Sequence, residues 1–564
     1  MSDPTFNLTT QPWLKVIDKN NNQEQTVSLI ELFKNAQDYR QLSGDMHVQD
    51  LAILRFLLAI LLTVYSRFKV DGSPYDWLEV DPETFKATSL DSESDPDDLN
   101  DELFNTWQTL YQNGHFSEIV TQYLTKYADH FNLFGDHPFY QVTTSDYDAF
   151  VPKKKWIATG KGTVAVKQVN RLISESGNSV SLFSPSSDKY KNQISLAALA
   201  RWLITYQNFT GTTDKTKIET TEKFSTPAGW LYKLNPVFAS GTTLFQTLML
   251  NLTLAWRHYT FQKPIWEYES IETYLSERKK MIQPNNLAAL YTTWSRLMHI
   301  EWHESQPQIF SAGIPMFNSD NAFIEPMTTW KQDKKTHIWH PAMKRLATLN
   351  VAMWRNFGQY VNVNGSDDNH QPGIVSWLNE LKNQDLIPYD TLLNLTSVAF
   401  VSDGNATSQL PVAEVYDGMR INASVLFDSD HASYWPERIA DTIELTQQIG
   451  RDYWQFANNI GQIRDPTSSK AFANQMTAKF YDRLNVPFKD WLASLSNQEE
   501  RDPKINLWKR ALKHIVIASS KEVMASSSPR EIKGRLDSEH VVNVFTVNNR
   551  LRRNLQIHLG LKKE

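Results

Sequence analysis

Prolines partition the C-terminal part of the chain. Breaks at Pro436, Asp465-Pro466, Asp502-Pro503 and Ser528-Pro529 divide residues 436–564 into four stretches, each long enough for a helix. Apolar residues recur in them at helical spacing. They are Ile439, Ile443, Tyr453, Ile460 and Ile463 in the first stretch, and Phe472, Met476, Phe480, Leu484, Trp491 and Leu495 in the second. The last contributes Phe545, Leu551, Leu555 and Leu559. Helices with such stripes must bury them against one another, so a four-helix bundle is the expected product. The third stretch carries Lys504, Lys509, Arg510 and Lys513, and the fourth Arg550, Arg552, Arg553, Lys562 and Lys563. These charges either follow a nucleic-acid strand, face an acidic partner, or form a solvated face.

At 564 residues the chain exceeds the size at which one hydrophobic core stops growing, so at least two domains are expected. Its net charge of −6 gives no bulk attraction to phosphate, and any such contact must come from local basic patches. The absence of cysteine excludes disulfides, thiolate zinc sites and a cysteine nucleophile. The opening MSDPTFNLTTQPW lacks the basic start and apolar core of a secretory signal, which implies a cytoplasmic protein. The most apolar run, Leu51 to Val64, is interrupted by Arg55 and falls short of the roughly 20 residues a membrane span needs. It reads as a buried helix.

Several polar segments stand out. Asp91 to Glu102 is acidic and reads as a solvated loop or a helix start. From Val151 the balance reverses: Lys153, Lys154, Lys155, Lys161, Lys167 and Arg171 accompany Trp156 and two glycines. This composition suits a phosphate-facing loop and equally a solvated hairpin. Ser174 to Asn192 is Ser-rich, with Leu182 and Phe183 isolated, and cannot build a core of its own. Asn208 to Lys217 is a threonine-rich turn. Val401 to Pro411 has the turn chemistry of a hairpin tip. In the run His299, Glu301, His303, Glu304 the glutamate is misplaced for a zinc-protease motif, and Asp367, Asp368 and His370 lack calcium-loop spacing. His337 and His340 read as surface or hydrogen-bonded groups. No metal site, cofactor or catalytic constellation is expected.

An ordered set of segments carries a resemblance over nearly the whole chain. FNLTTQPWLKVID, Thr26 to Leu61, HPFYQV at His137 to Val142, GTTLFQTLMLNLTLAW at Gly241 to Trp256, and FYDRLNVPFKDWL at Phe480 to Leu492 together resemble the CasA family. That family is the large subunit of the type I-E CRISPR Cascade surveillance complex. The resemblance implies an α+β fold, with a large mixed α/β N-terminal domain over residues 1–425 and an all-α four-helix bundle over 430–564. It implies a non-catalytic protein of antiviral defence that recognises the protospacer-adjacent motif in double-stranded DNA, helps start R-loop formation and recruits a helicase-nuclease. Implied partners are the guide CRISPR RNA, the target DNA, the backbone and small Cascade subunits and that helicase-nuclease, with no membrane.

Residue by residue, the resemblance implies a minor-groove loop at Thr210, Gly211, Thr212, Thr213 and Lys215, where small side chains let the backbone approach base edges. It implies a minor-groove lysine among Lys331, Lys334 and Lys335. A glutamine wedge falls on Gln409 with Ser408 beside it, and a contact to guide RNA and backbone subunit on Leu182, Phe183 and Ser184. Lys153, Lys154, Lys155, Arg550, Arg552 and Arg553 are the strand-binding candidates. The rival from composition is a carbohydrate-binding or glycoside-hydrolysing protein, since 18 tryptophans and abundant carboxylates also suit a sugar cleft. A third reading is a scaffold that uses the bundle alone to hold a partner helix.

Overall fold

The structure is a computed structural model that describes the chain outside residues 1–3, 170–189, 191, 212–214, 226–227, 256–257, 304–305, 362–368, 403–410, 430–433, 538–539 and 562–564. The chain packs as two units. The first comprises Met1–Leu349, Asp368–Leu378 and Thr396–Asp417, and the second Asn350–Asp367, Asn379–Leu395 and Gly418–Glu564.

In the first unit β1 (Leu14–Asp18) lies between β2 (Glu24–Val27) and β3 (Tyr39–Leu42), both antiparallel to it. The chain then enters α1 (His47–Tyr65), which is apolar on every face and therefore central. It is long and apolar enough to cross a membrane, yet its apolar window is 94% buried inside the fold. Phe56, on this helix, meets Trp13, Phe139, Tyr140 and Trp266 at ring separations of 5.6–6.3 Å. Two of those rings come from the His-Pro-Phe segment, which explains why that segment is apolar. The acidic run opens a helix: the Asp95 side chain accepts from the Asp97 amide at the start of Pro96–Asn113.

Helix α2 (Leu196–Phe209), capped by Ser195, packs on α1. Further on, β4 (Val237–Ser240) precedes the antiparallel pair β5 (Arg296–His303) and β6 (Gln306–Gly313), and the short strand Thr163–Val164 pairs with β6. A hairpin follows, formed by β7 (Trp330–Gln332) and β8 (Trp339–Pro341). The long strands β9 (Leu392–Ser402) and β10 (Pro411–Asn422) are neighbours in a sheet of order β10-β9-β4.

The second unit is helical, and its long helices are α3 (Trp435–Arg464), α4 (Ser469–Ala493), α5 (Arg501–Ala525) and α6 (Val544–Leu559). Pro436 and Pro503 lie in first turns, where a missing amide donor costs little, and Pro487 sits within α4. The core is aromatic: Phe488 stacks on Trp354 at 4.1 Å and meets Trp508 edge-on at 4.9 Å. The Trp508 indole donates to Thr446 Oγ1 at 2.8 Å.

The expected stripe on α3 is buried throughout, but three details of the later stretches differ from expectation. The stretch after Ser528-Pro529 is not one helix: it forms a short helix Pro529–Lys533 and a ribbon of Arg535–Asp537 with His540–Val542 before α6 begins. Asn543 caps α6 by accepting from the Phe545 and Thr546 amides. That phase puts Val544, Val547, Leu551, Leu555 and Leu559 on the buried side and leaves Phe545 53% exposed. Phe472 and Met476 are half-buried, the former under the Arg464 guanidinium at 4.9 Å. Lys504 is tied down by Glu499 at 2.8 Å.

Candidate nucleic-acid interface

The threonine-rich turn is the start of a loop with a fixed neck. Helix α2 ends at Phe209, Thr210 is fully buried as its C-cap, and the Gly211 carbonyl accepts from buried Arg296 Nη2 at 2.9 Å. The chain returns at Gly229, whose amide donates to the Thr210 carbonyl at 2.8 Å. A Cβ at Gly229 would lie 2.3 Å from the Asn208 carbonyl oxygen, so the neck closes only around a glycine. Gln207 fixes the end of α2 to β5, accepting from the Ser295 and Arg296 amides and donating to the Arg296 carbonyl.

Immediately beyond the neck, Trp230 Nε1 donates to Glu325 Oε2 at 2.7 Å. Glu325 is also the partner of Arg55, which donates to its two oxygens at 2.7 and 2.8 Å, and it accepts from the Met327 amide at 3.1 Å. The Arg55 guanidinium lies 4.1 Å over the Tyr291 ring. Neither charged side chain is exposed. Removing one partner of such a pair leaves an uncompensated buried charge, at a cost of about 3–5 kcal/mol.

Glu325 and Met327 lead directly into the β7–β8 hairpin, which carries the three candidate lysines. Lys331 is exposed on β7 opposite His340, and His340 Nδ1 sits 2.8 Å from Asp320 Oδ1. Lys334 and Lys335 are exposed in the connecting turn. Asp333 Oδ1 accepts from the Lys335 and Thr336 amides at 2.9 Å each, and these bonds hold its carboxyl below the usual range. The loop neck and the lysine hairpin are thus rooted on one buried carboxylate.

A second basic element meets the same loop. Gly313 on β6 donates to the Thr216 carbonyl and accepts from the Ile218 amide, and the Glu219 amide donates to the Phe150 carbonyl. Gly162, at φ +90°, presses against Thr216: a Cβ there would lie 3.0 Å from Thr216 Oγ1 and 3.6 Å from Lys155 Cδ. Lys153 and Lys154 are exposed in a single turn after Pro152, with Lys155 half-buried, and Lys153 Nζ lies 5.7 Å over the Trp156 ring. Lys161 and Lys215 are exposed as well. None of these five lysines has a carboxylate partner within salt-bridge distance among the described residues. Lys217 differs: it points back into its own loop, donating to the Phe224 carbonyl.

Thr212, Thr213, Leu182, Phe183, Ser184, Ser408 and Gln409 lie outside the described residues. The strand leading out of the Ser408–Gln409 segment is held to the start of α1: Glu414 Oε1 accepts from the Val48 amide at 2.7 Å, and the Tyr416 ring stacks on His47 at 3.8 Å. Arg550, Arg552 and Arg553 are exposed on α6. His299 and His303 are on a strand, the former hydrogen-bonded to the Val142 carbonyl at 2.8 Å, and among the described residues no group of three His, Asp or Glu could hold a metal. Sequence reasoning missed Glu325, Trp230, Gly229, Gln207 and Arg296. Only Arg55, a charge inside an apolar run, announced that a buried partner must exist.

The family described as CRISPR-associated protein Cse1 matches residues 7–519. Among solved structures, Cse1 from Thermobifida fusca superposes with a TM-score of 0.78 at 20% identity, covering 99% of both chains. Cse1 from Acidimicrobium ferrooxidans gives 0.72 at 17%, again over 99% of both. A chain of a structure described as a CRISPR RNA-guided surveillance complex gives 0.58 at 14%, over 98% of this chain and 100% of that one. Among curated proteins none matches. The chain belongs to the CRISPR-associated protein Cse1 family, the CasA large subunits of type I-E surveillance complexes.

Proposed function

We propose that this subunit reads the protospacer-adjacent motif in double-stranded DNA, helps to open the first target base pairs and presents a docking surface to a helicase-nuclease, with no catalysis of its own. It acts within an assembly with guide RNA and the other Cascade subunits, in keeping with its likeness in fold to a chain of an RNA-guided surveillance complex. The observation that carries the reading is the common root of the 210–229 loop and the Lys331–Lys335 hairpin on Glu325. Two elements that must enter one groove in fixed register need such a rigid common base. Lys215 in the loop and Lys153, Lys154, Lys155 and Lys161 beside it suit the phosphates, which position a duplex without specifying it. Gln409 serves as the wedge: unstacking one step costs a few kcal/mol, offset by guide pairing.

The test is binding of the reconstituted complex, with and without this chain, to guide-matched duplexes carrying randomised bases beside the target. A short motif enriched only when the chain is present, and strand opening that fails in Gln409→Ala, is the expected result. Binding indifferent to the chain would overturn the reading.

A further inference from the structure

The central helix has no side-chain cap of its own. Met46, at the N-cap of α1, is extended and its side chain accepts nothing from the first turn, so the opening amides of this buried helix need acceptors from elsewhere. One comes from a residue 366 positions away: Glu414 Oε1 accepts from the Val48 amide at 2.7 Å. A carboxylate there also meets the positive end of the helix dipole. Two residues further along the same strand, and therefore on the same face, Tyr416 lays its ring on His47 at 3.8 Å with 16° between the planes. The two ties join one face of β10 to one helix terminus.

The position of β10 gives those ties their meaning. It is the end strand of its sheet, so strand pairing holds it along one edge only, beside β9, and Glu414 and Tyr416 add a second attachment. Residues 403–410, with Ser408 and Gln409, join β9 to β10, and β10 begins at Pro411, three residues before Glu414. On α1, Arg55 follows Val48 by seven residues, about 10 Å along the axis. Arg55 holds Glu325, on which the neck of the 210–229 loop and the lysine hairpin are rooted. One buried helix therefore carries both the root of the motif-reading elements and the attachment of the strand that follows the wedge. A side chain that parts base pairs works only in register with the bases being read, and such geometry must be held to about 0.5 Å by its supports.

We propose that Glu414 and Tyr416 are positioning residues for strand opening. By seating β10 on His47 and Val48 they set the register of the 403–410 segment, through α1, against the 210–229 loop and the Lys331–Lys335 hairpin. Neither residue needs to touch DNA. The proposal rests on the reading of Gln409 as the wedge.

The experiment uses the reconstituted complex with the full-length chain and a guide-matched duplex carrying a fluorescent adenine analogue at the first target position, whose signal rises as that base unstacks. A second duplex, mismatched over its first target base pairs, needs no opening. Glu414→Ala and Tyr416→Ala should each slow opening of the closed duplex about tenfold. Both should bind the mismatched duplex as the wild type does, with the same preference among motif sequences. Glu414→Gln keeps an acceptor for the Val48 amide and should restore opening. Thermal midpoints of the full-length chains are compared alongside. Weaker binding of both duplexes in proportion to lost stability would mean that the ties only hold the fold, and would overturn the proposal, as would wild-type opening by both alanine variants. Gln409→Ala runs in parallel. Normal opening by Gln409→Ala with slow opening by Glu414→Ala and Tyr416→Ala would remove the glutamine wedge and keep the positioning role of β10. Slow opening by Gln409→Ala alone would keep the wedge and overturn that role.

Discussion

Glu325 accepts from the two terminal guanidinium nitrogens of Arg55, Nη1 and Nη2, at 2.7 and 2.8 Å, with neither side chain exposed. Because Glu325 also holds Trp230 and the Met327 amide, this pair is where the central helix, the loop neck and the hairpin root meet. Glu325→Gln leaves the arginine charge uncompensated and should lower unfolding free energy by about 3–5 kcal/mol in urea denaturation. The double variant Arg55→Met/Glu325→Leu should recover much of that loss, yet bind target DNA poorly because the two loops lose their common anchor. Full DNA binding by the double variant would separate the anchor from recognition.

Gly229→Ala tests the neck more gently. The added methyl would sit 2.3 Å from the Asn208 carbonyl oxygen, so the Thr210–Gly229 hydrogen bond must open. Overpacking of this kind costs about 1–3 kcal/mol. Target binding should fall at least tenfold while guide loading of the complex is unaffected. A variant with wild-type target affinity would show that the loop needs no closed neck.

The proposed reading gives the lysines two roles. Replacing Lys153, Lys154 and Lys155 by glutamine should weaken binding equally for all motif sequences, and lower the slope of log affinity against log salt by about 0.9 for each phosphate no longer neutralised. Within the hairpin, the proposed reading has one of Lys331, Lys334 and Lys335 at the base edges, and its change to alanine should relax motif preference instead. Selection on randomised duplexes distinguishes the two effects. A triple lysine variant with an unchanged salt slope would remove that turn from the DNA path.

Helices announced themselves in sequence because their stripes must be buried, and the phase of α3 followed directly from Ile439 to Ile463. Phe545 misled because an apolar residue in a first turn need not share the face of those behind it; the Asn543 cap sets the phase. The site was half legible. Lysine and threonine runs showed where positive charge and small side chains cluster, and the hairpin around Lys331 to Lys335 could be located. Their common root could not, since Arg55, Trp230 and Glu325 are far apart in sequence and only folding brings them together. Gly229 looked like any loop glycine until the Asn208 carbonyl was seen against it.

Acid should stabilise one corner of the first unit. Asp50, 22% exposed on α1, accepts from the Gly44 amide at 2.7 Å. Burial, with Glu414 and Asp45 adding repulsion, pushes its carboxyl up to about 7. Burial also raises Glu414, which holds the strand leading out of the Ser408–Gln409 segment. A carboxyl whose pKa is raised on folding binds more protons in the folded state than in the unfolded one. Between the ordinary aspartate value near 3.9 and about 7, stability therefore falls as pH rises, and it levels off above. Asp50→Asn keeps an acceptor for Gly44 and removes the titration. Urea denaturation across pH 4.5 to 7.5 should show a shallower fall in the variant, with the residual slope owed partly to Glu414. Identical slopes would mean that Asp50 ionises in the folded chain as readily as in the unfolded one.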